Sequence, residues 1–231
     1  MPKRPVPSQG PPPWTALDEY LWHTCEIVAD VVQGQVDRRP LVATVAPLPP
    51  GDRALVTGPG RSFRWMALGD GSYHHTNAFA VGSPAFVIGS LLGNAVGNSS
   101  RRAAAARDAQ PRWVAADPGE VTVSRMGAFI IHPVKPTDSV FLYWSGLDSI
   151  DLVAPDVFQT HFVNTSGTGV ALRVATPWAS LMFALAALAR FPAHPRLVER
   201  GWLPPGFEQR SAAFGRPCRP ATDLVLGRGG T

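Results

Sequence analysis

Cysteine and lysine are the scarce residues of this chain. Cys25 and Cys218 are the only cysteines in 231 residues, too few for a disulfide scaffold. They are far apart in sequence and form neither a CxxC nor a zinc-site spacing, so two separate thiols suited to a reducing cytoplasm are expected. A disulfide between them stays open. Lys3 and Lys135 are the only lysines, so arginine carries the net charge of +4. A GC-rich genome accounts for the arginine bias together with the abundant Ala, Gly and Pro. No basic run is long enough for a nucleic-acid arm, so nucleic acid is not an expected partner. Charged side chains make up only 16%, and none falls between Asp70 and Arg101. No GxxxxGKS or GxxxxGKT, HExxH or GxSxG occurs, which removes the P-loop, zincin and nucleophile-elbow readings. The start, Met1-Pro-Lys-Arg-Pro, lacks the apolar region of a cleavable signal peptide.

Apolar residues reach 45%, enough to bury a core. Pro 24 and Gly 22 together make about a fifth of the chain, so part of it is loop or tail. Residues 1–14 read as a proline-rich tail. Residues 15–34 read as a helix. Thr15 and Asp18 form a capping box, Leu17, Tyr20, Leu21, Thr24, Ile27, Val28 and Val31 recur at helical spacing, and Gly34 is the stop. Residues 35–52 read as a linker. Arg53–Thr57 and Ser62–Leu68 look like two strands joined by a Gly58-Pro59-Gly60-Arg61 turn.

From Pro118 the apolar period becomes two. Strands are expected at 120–125, 128–132, 139–144, 149–153, 157–163 and 170–175, with turn residues between them. A helix over 178–191 follows and stops at Pro192. Residues 194–231 are a Pro/Gly/Arg-rich tail, in which Leu197, Trp202, Leu203 and Phe207 can fold back on the body, and the last ~20 residues look disordered.

The order GEVTVSRMGAFII, SVFLYW, LDSIDLV, VFQTHFV and GVALRVA, closed by a helix with Trp178, resembles the bacterial pleckstrin-homology-like or GRAM-like domains. The resemblance implies an α+β fold: a small antiparallel barrel capped by a C-terminal helix, over residues 53–193. The N-terminal helix and an inserted helical segment, residues 78–110, would be additions to it. The whole chain, with its glycine-rich insertion, its RR-x4-RDAxPRW stretch and its GWLPPG ending, is similar to a group of uncharacterised actinobacterial proteins. A sheet of about eight segments without helices between its later strands must curl or split to bury one face, which supports a barrel independently.

Residues 78–97 are uncharged, and Gly89, Gly93 and Gly97 are spaced four apart. On a helix these glycines share a face that another helix can approach closely, so self-association is expected there. The segment is also long enough to cross a bilayer at about 1.5 Å per residue, and Arg101, Arg102, Arg107 and Arg112 follow it as positive-inside anchors would. Gly, Ser, Pro84 and Asn94 dilute its apolarity. A single span would also separate residues 53–68 from the later strands, so a soluble helix that packs or self-associates through its glycine face is preferred, ahead of a peripheral or re-entrant membrane contact and of a true span.

Arg53, Arg61 and Arg64 surround the expected first turn, and Arg101 and Arg102 follow the glycine-rich run. These five are candidates for an anionic surface, including a membrane face. Asp70 with His74 and His75 lacks the further ligands a metal site needs. His161 reads as a hydrogen-bonded barrel residue, and Asp148 with Asp151 as turn carboxylates. The expectation is a non-enzymatic binding or scaffold module with no cofactor and no metal. It would be cytoplasmic or at the inner membrane face, with a protein partner or a second copy of itself. The alternatives are a single-pass anchored protein and an enzyme with a scattered site.

Overall fold

The computed structural model describes residues 12–70, 102–132 and 134–219. The chain divides into two compact units, residues 1–62 with 116–231, and residues 63–115. The fold is α+β, and its strands form an open antiparallel sheet of eight.

The strands are β1 (Ala54–Met66), β2 (Arg112–Ala115), β3 (Gly119–Ser124), β4 (Gly127–Ile131), β5 (Val140–Tyr143), β6 (Leu147–Ala154), β7 (Val157–Val163) and β8 (Gly169–Ala175). The sheet order is β5-β4-β3-β1-β8-β7-β6, with β2 pairing on β1 off this path. Two three-stranded meanders thus meet at β1. Their outer edges are β5 and β6, yet only Trp144–Gly146 separates these in sequence. Seven strands laid flat would place the edges about 29 Å apart. The link reaches about 14 Å at most. The sheet of the large unit therefore curls at that end, and Trp144 is buried in the link itself. Alternate residues face inward, among them Leu142, Ile150, Leu152, Phe158, Leu172 and Val174, all buried.

The 53–68 stretch is not a hairpin. It is one strand of 13 residues, and Gly58-Pro59-Gly60 lies inside it. The glycines serve close approach rather than a turn. A Cβ on Gly58 would lie 2.7 Å from Trp178 Nε1, and one on Gly60 2.2 Å from Val121 Cγ2. The indole N–H of Trp178 donates to the Thr57 carbonyl at 2.9 Å, and the Thr176 hydroxyl donates to the Pro59 carbonyl at 2.9 Å.

Helix α1 (Ala16–Val32) begins at a capping box: the Asp18 N–H donates to Thr15 Oγ1, and the Thr15 N–H to Asp18 Oδ2. Gly34, just past its end, has φ 68°, the left-handed conformation that glycine adopts without strain. A second helix, α2, covers residues 102–108.

Helix α3 (Ala179–Arg190) is buried on every side from Ala179 to Ala187. One face packs on β4, β6, β7 and the 144–146 link, and α1 lies against it as well. A helix apolar all round is stable only with cover of this kind.

Residues 194–219 add α4 (Pro195–Val198) and α5 (Phe207–Ala213). Leu197, Trp202, Leu203 and Phe207 are buried, so this Pro/Gly/Arg-rich stretch folds back on the body.

In the small unit the end of β1 pairs with β2, from Phe63 opposite Ala115 to Met66 opposite Arg112. Trp65 and Trp113 meet edge to face at 5.4 Å. The N–H groups of Leu68 and Gly69 donate to the Asp108 carbonyl at the end of α2. Among the described residues no helix is long and apolar enough to cross a membrane. The glycine-rich run 78–97, with Gly89, Gly93 and Gly97, lies outside the described residues.

Candidate functional site

The capping box at Thr15 starts α1 so that Ala16, Tyr20, His23 and Ile27 fall on one side of the helix, at i, i+4, i+7 and i+11. This side faces Val56 and Thr57 of β1 and the indole of Trp178. Between them runs a groove of about 530 Å³, with Glu19 and Arg39 completing its lining. Its floor is apolar and aromatic: the Tyr20 ring stands edge-on to Trp178 at 4.7 Å between centroids. Trp178 is locked by its bond to Thr57.

The rim of the groove is charged. Arg39 donates to Asp30 Oδ2 at 2.6 Å. His23 Nε2 lies 3.4 Å from Glu19 Oε1 and is well exposed. Glu19 also accepts from Arg216 and, at 2.9 Å, from Trp14 Nε1. These bonds, the one from Arg216 foremost, hold the Glu19 carboxyl below its ordinary range. A cleft with an apolar floor and a few fixed polar groups at its edge is the usual form of a small binding site. A second groove of about 560 Å³, lined by Val45, Thr57–Pro59, Pro118–Glu120 and Ile131, contains one titratable side chain, Glu120.

Behind the groove wall, the outer face of α1 forms an ionic seam with the C-terminal stretch. Arg210 pairs with Asp18, Arg216 with Glu19, and Arg219 with Glu26 at 2.8 Å and with Asp30 at 2.7 Å. Arg216 also lies over the rings of Trp14 and Trp22, at 5.6 and 5.3 Å. Burial pushes the Asp30 carboxyl up, but the Arg39 and Arg219 bonds outweigh this and leave it below its ordinary range.

The five arginines singled out in the sequence have different settings. Arg53 is engaged: its guanidinium donates to the Arg39 carbonyl at 2.7 Å and lies 3.5 Å from Asp37. Arg53 directly precedes β1, and Arg61 is exposed on that strand eight residues on, roughly 26 Å along an extended chain. Because no turn interrupts β1, these two do not surround one. Arg64 and Arg102 are exposed residues of the small unit. Arg101 lies outside the described residues, as do His74 and His75.

His161 Nδ1 and Ser149 Oγ are 2.9 Å apart across β6 and β7, on an exposed surface. Among the described residues no carboxylate bonds to that histidine. Asp151 pairs with Arg196 at 2.9 Å, while Asp148 is exposed. Among the described residues no group of three or more His, Cys, Asp or Glu side chains is placed to hold a metal.

The sequence carries no local signal for the groove. Tyr20, Ile27 and Trp178 were legible as core residues. That they line a cleft depends on β1 and α1 facing each other across it, a tertiary arrangement. The family models, the curated proteins and the solved structures contain no match to this chain.

Proposed function

We propose that this chain is a non-enzymatic binding or scaffold module built on a pleckstrin-homology-like barrel, and that its ligand site is the groove between α1 and β1. The barrel reading is supported by the antiparallel path of seven strands whose two edges are joined by three residues, and by the buried helix that closes it. The binding reading is carried by one observation, the aromatic-floored groove with Glu19, His23 and Arg39 at its rim. Such a cleft suits an apolar or aromatic side chain of a protein partner, with polar neighbours meeting the rim.

The test is a titration with anilinonaphthalene sulfonate, an aromatic anion small enough for the groove, on the full chain and on Ala16→Trp. Ala16 is an exposed lining residue, so a large ring there fills the cleft without opening the core. Saturable binding by the parent chain, lost at least tenfold in Ala16→Trp, is the expected result. Binding unaffected by that substitution would place the site elsewhere. Co-sedimentation with anionic phospholipid vesicles that Ala16→Trp leaves unchanged would favour the membrane-surface reading of the arginines. The self-association expected of Gly89, Gly93 and Gly97 remains a separate proposal. Light scattering on the full chain tests it, with Gly93→Leu expected to reduce any oligomer.

A further inference from the structure

The two cysteines are far apart in sequence and adjacent in space. Cys25 is buried on α1, at 2% exposure. Cys218 is half-buried beyond α5 and packs against the same core cluster. Cys218 packs on the cluster that contains Cys25, and each thiol is the largest influence on the other's protonation, so the two are close neighbours. Their meeting is set by the surrounding charges. On α1, Glu19, Glu26 and Asp30 stand at i, i+7 and i+11, one stripe of the helix. Arg216 takes Glu19, while Arg219 takes Glu26 and Asp30. Cys218 sits between those two arginines in sequence and is thereby held over the middle of α1, where Cys25 is. Ser211 of α5 supports it, with Cys218 Sγ 3.6 Å from the Ser211 hydroxyl oxygen.

We propose that Cys25 and Cys218 form a redox pair, a reversible disulfide that ties the C-terminal stretch covalently to the N-terminal helix. Cys218 is the attacking thiol, since it is the one that solvent reaches. The neighbouring Cys25 thiol lowers its pKa to about 7, helped by Ser211, against burial and against the nearby Glu208 and Glu26 carboxylates. Cys25, held protonated by its Cys218 neighbour and by burial, is the resolving thiol.

The oxidant is a small-molecule disulfide, RSSR. The Cys218 thiolate attacks one of its sulfurs, forming a mixed disulfide and releasing the first RS⁻, which takes the Cys25 proton. The Cys25 sulfur then attacks the Cys218 sulfur and expels the second RS⁻, which is protonated from water. Two protein thiols and one RSSR thus become one protein disulfide and two RSH. Both thiols belong to the ionic seam rather than to the groove lining, so the inference stands independently of the binding proposal.

The full chain is treated with oxidised glutathione and then analysed by intact mass and by non-reducing peptide mapping. The expected product is a monomer lighter by two hydrogens, with a peptide linking Cys25 to Cys218. Because the bond closes a loop of nearly the whole chain, Tm should rise by roughly 10 °C, and dithiothreitol should reverse the rise. Cys218→Ser, a change at a half-buried position, should abolish both the link and the rise while leaving the reduced Tm within a few degrees. Cys25→Ala should leave a glutathione adduct on Cys218. The proposal is overturned by a parent chain that keeps both thiols, that retains glutathione as a stable adduct, that links into dimers, or that forms the bond with no rise in Tm.

Discussion

Gly127 shows what a single missing methyl group permits. A Cβ there would lie 2.2 Å from the Leu142 carbonyl oxygen of the neighbouring strand. That oxygen belongs to backbone held in the β4–β5 ladder, where Gly127 is opposite Tyr143, so it cannot swing aside as a side-chain tip would. Gly127→Ala should therefore lower stability by about 1–3 kcal/mol. Gly146, which has nothing within 4 Å of its Cβ position, is the control, and Gly146→Ala should change stability by less than about 0.5 kcal/mol. Urea unfolding of the two variants checks the contrast, and equal losses would remove the steric argument. Gly58 and Gly60 follow the same logic and explain why a Gly-Pro-Gly string reads as a turn in the sequence. Glycine in a strand and glycine in a turn look alike until the neighbour is known, and here the neighbours, Val121 and Trp178, lie more than sixty residues away. Arg53 misleads in a similar way. As a residue type it suggests anion binding, but in the fold it is occupied by the Arg39 carbonyl and Asp37.

At the scale of elements, local chemistry carried far. The strands expected at 120–125, 128–132, 157–163 and 170–175 are found as β3, β4, β7 and β8 to within a residue or so. Period-two patterning and intervening turn residues are local signals, and one buried face enforces them. The capping box that marks the start of α1 is formed. Thr15→Ala removes its hydroxyl and should cost about 1 kcal/mol, read as a lower urea midpoint, while Thr15→Ser should retain most of the parent stability. Pairing of β2 with the end of β1 was not legible, because four residues after a helix offer no periodicity to read. The same holds for residues 194–219. Their composition suggests a tail, and their order depends on arginines meeting carboxylates of α1 nearly two hundred residues away.

The ionic seam has a pH dependence of definite sign. The Glu19 and Asp30 carboxyls are both below their ordinary values in the fold. Groups depressed in this way add stability that is complete above the unfolded-state values, roughly pH 5 and higher, and is lost as pH falls through 4 and below. The urea midpoint should hence decline from pH 5 to pH 3. The decline should be shallower in Glu19→Gln, since that variant has no carboxylate left to protonate at the site. A midpoint that is flat over this range in the parent chain would show that the seam contributes nothing to stability.

At the scale of the whole molecule, the large unit is organised by one geometric fact: the two edges of a seven-stranded path are three residues apart. The resulting curl holds α3, and α1 packs on α3 as well. The groove is a product of that layering, since it opens where α1 faces the first half of β1. This explains why its residues could be recognised as apolar in the sequence while the cleft itself could not.

The most direct measurement of the account is chemical-shift mapping of the full chain titrated with anilinonaphthalene sulfonate. The perturbed signals are expected to cluster at Ala16, Tyr20, His23, Ile27, Val56 and Thr57, together with the indole N–H of Trp178. Shifts centred on the exposed arginines or on the outer face of the sheet, with the Trp178 indole unmoved, would contradict it.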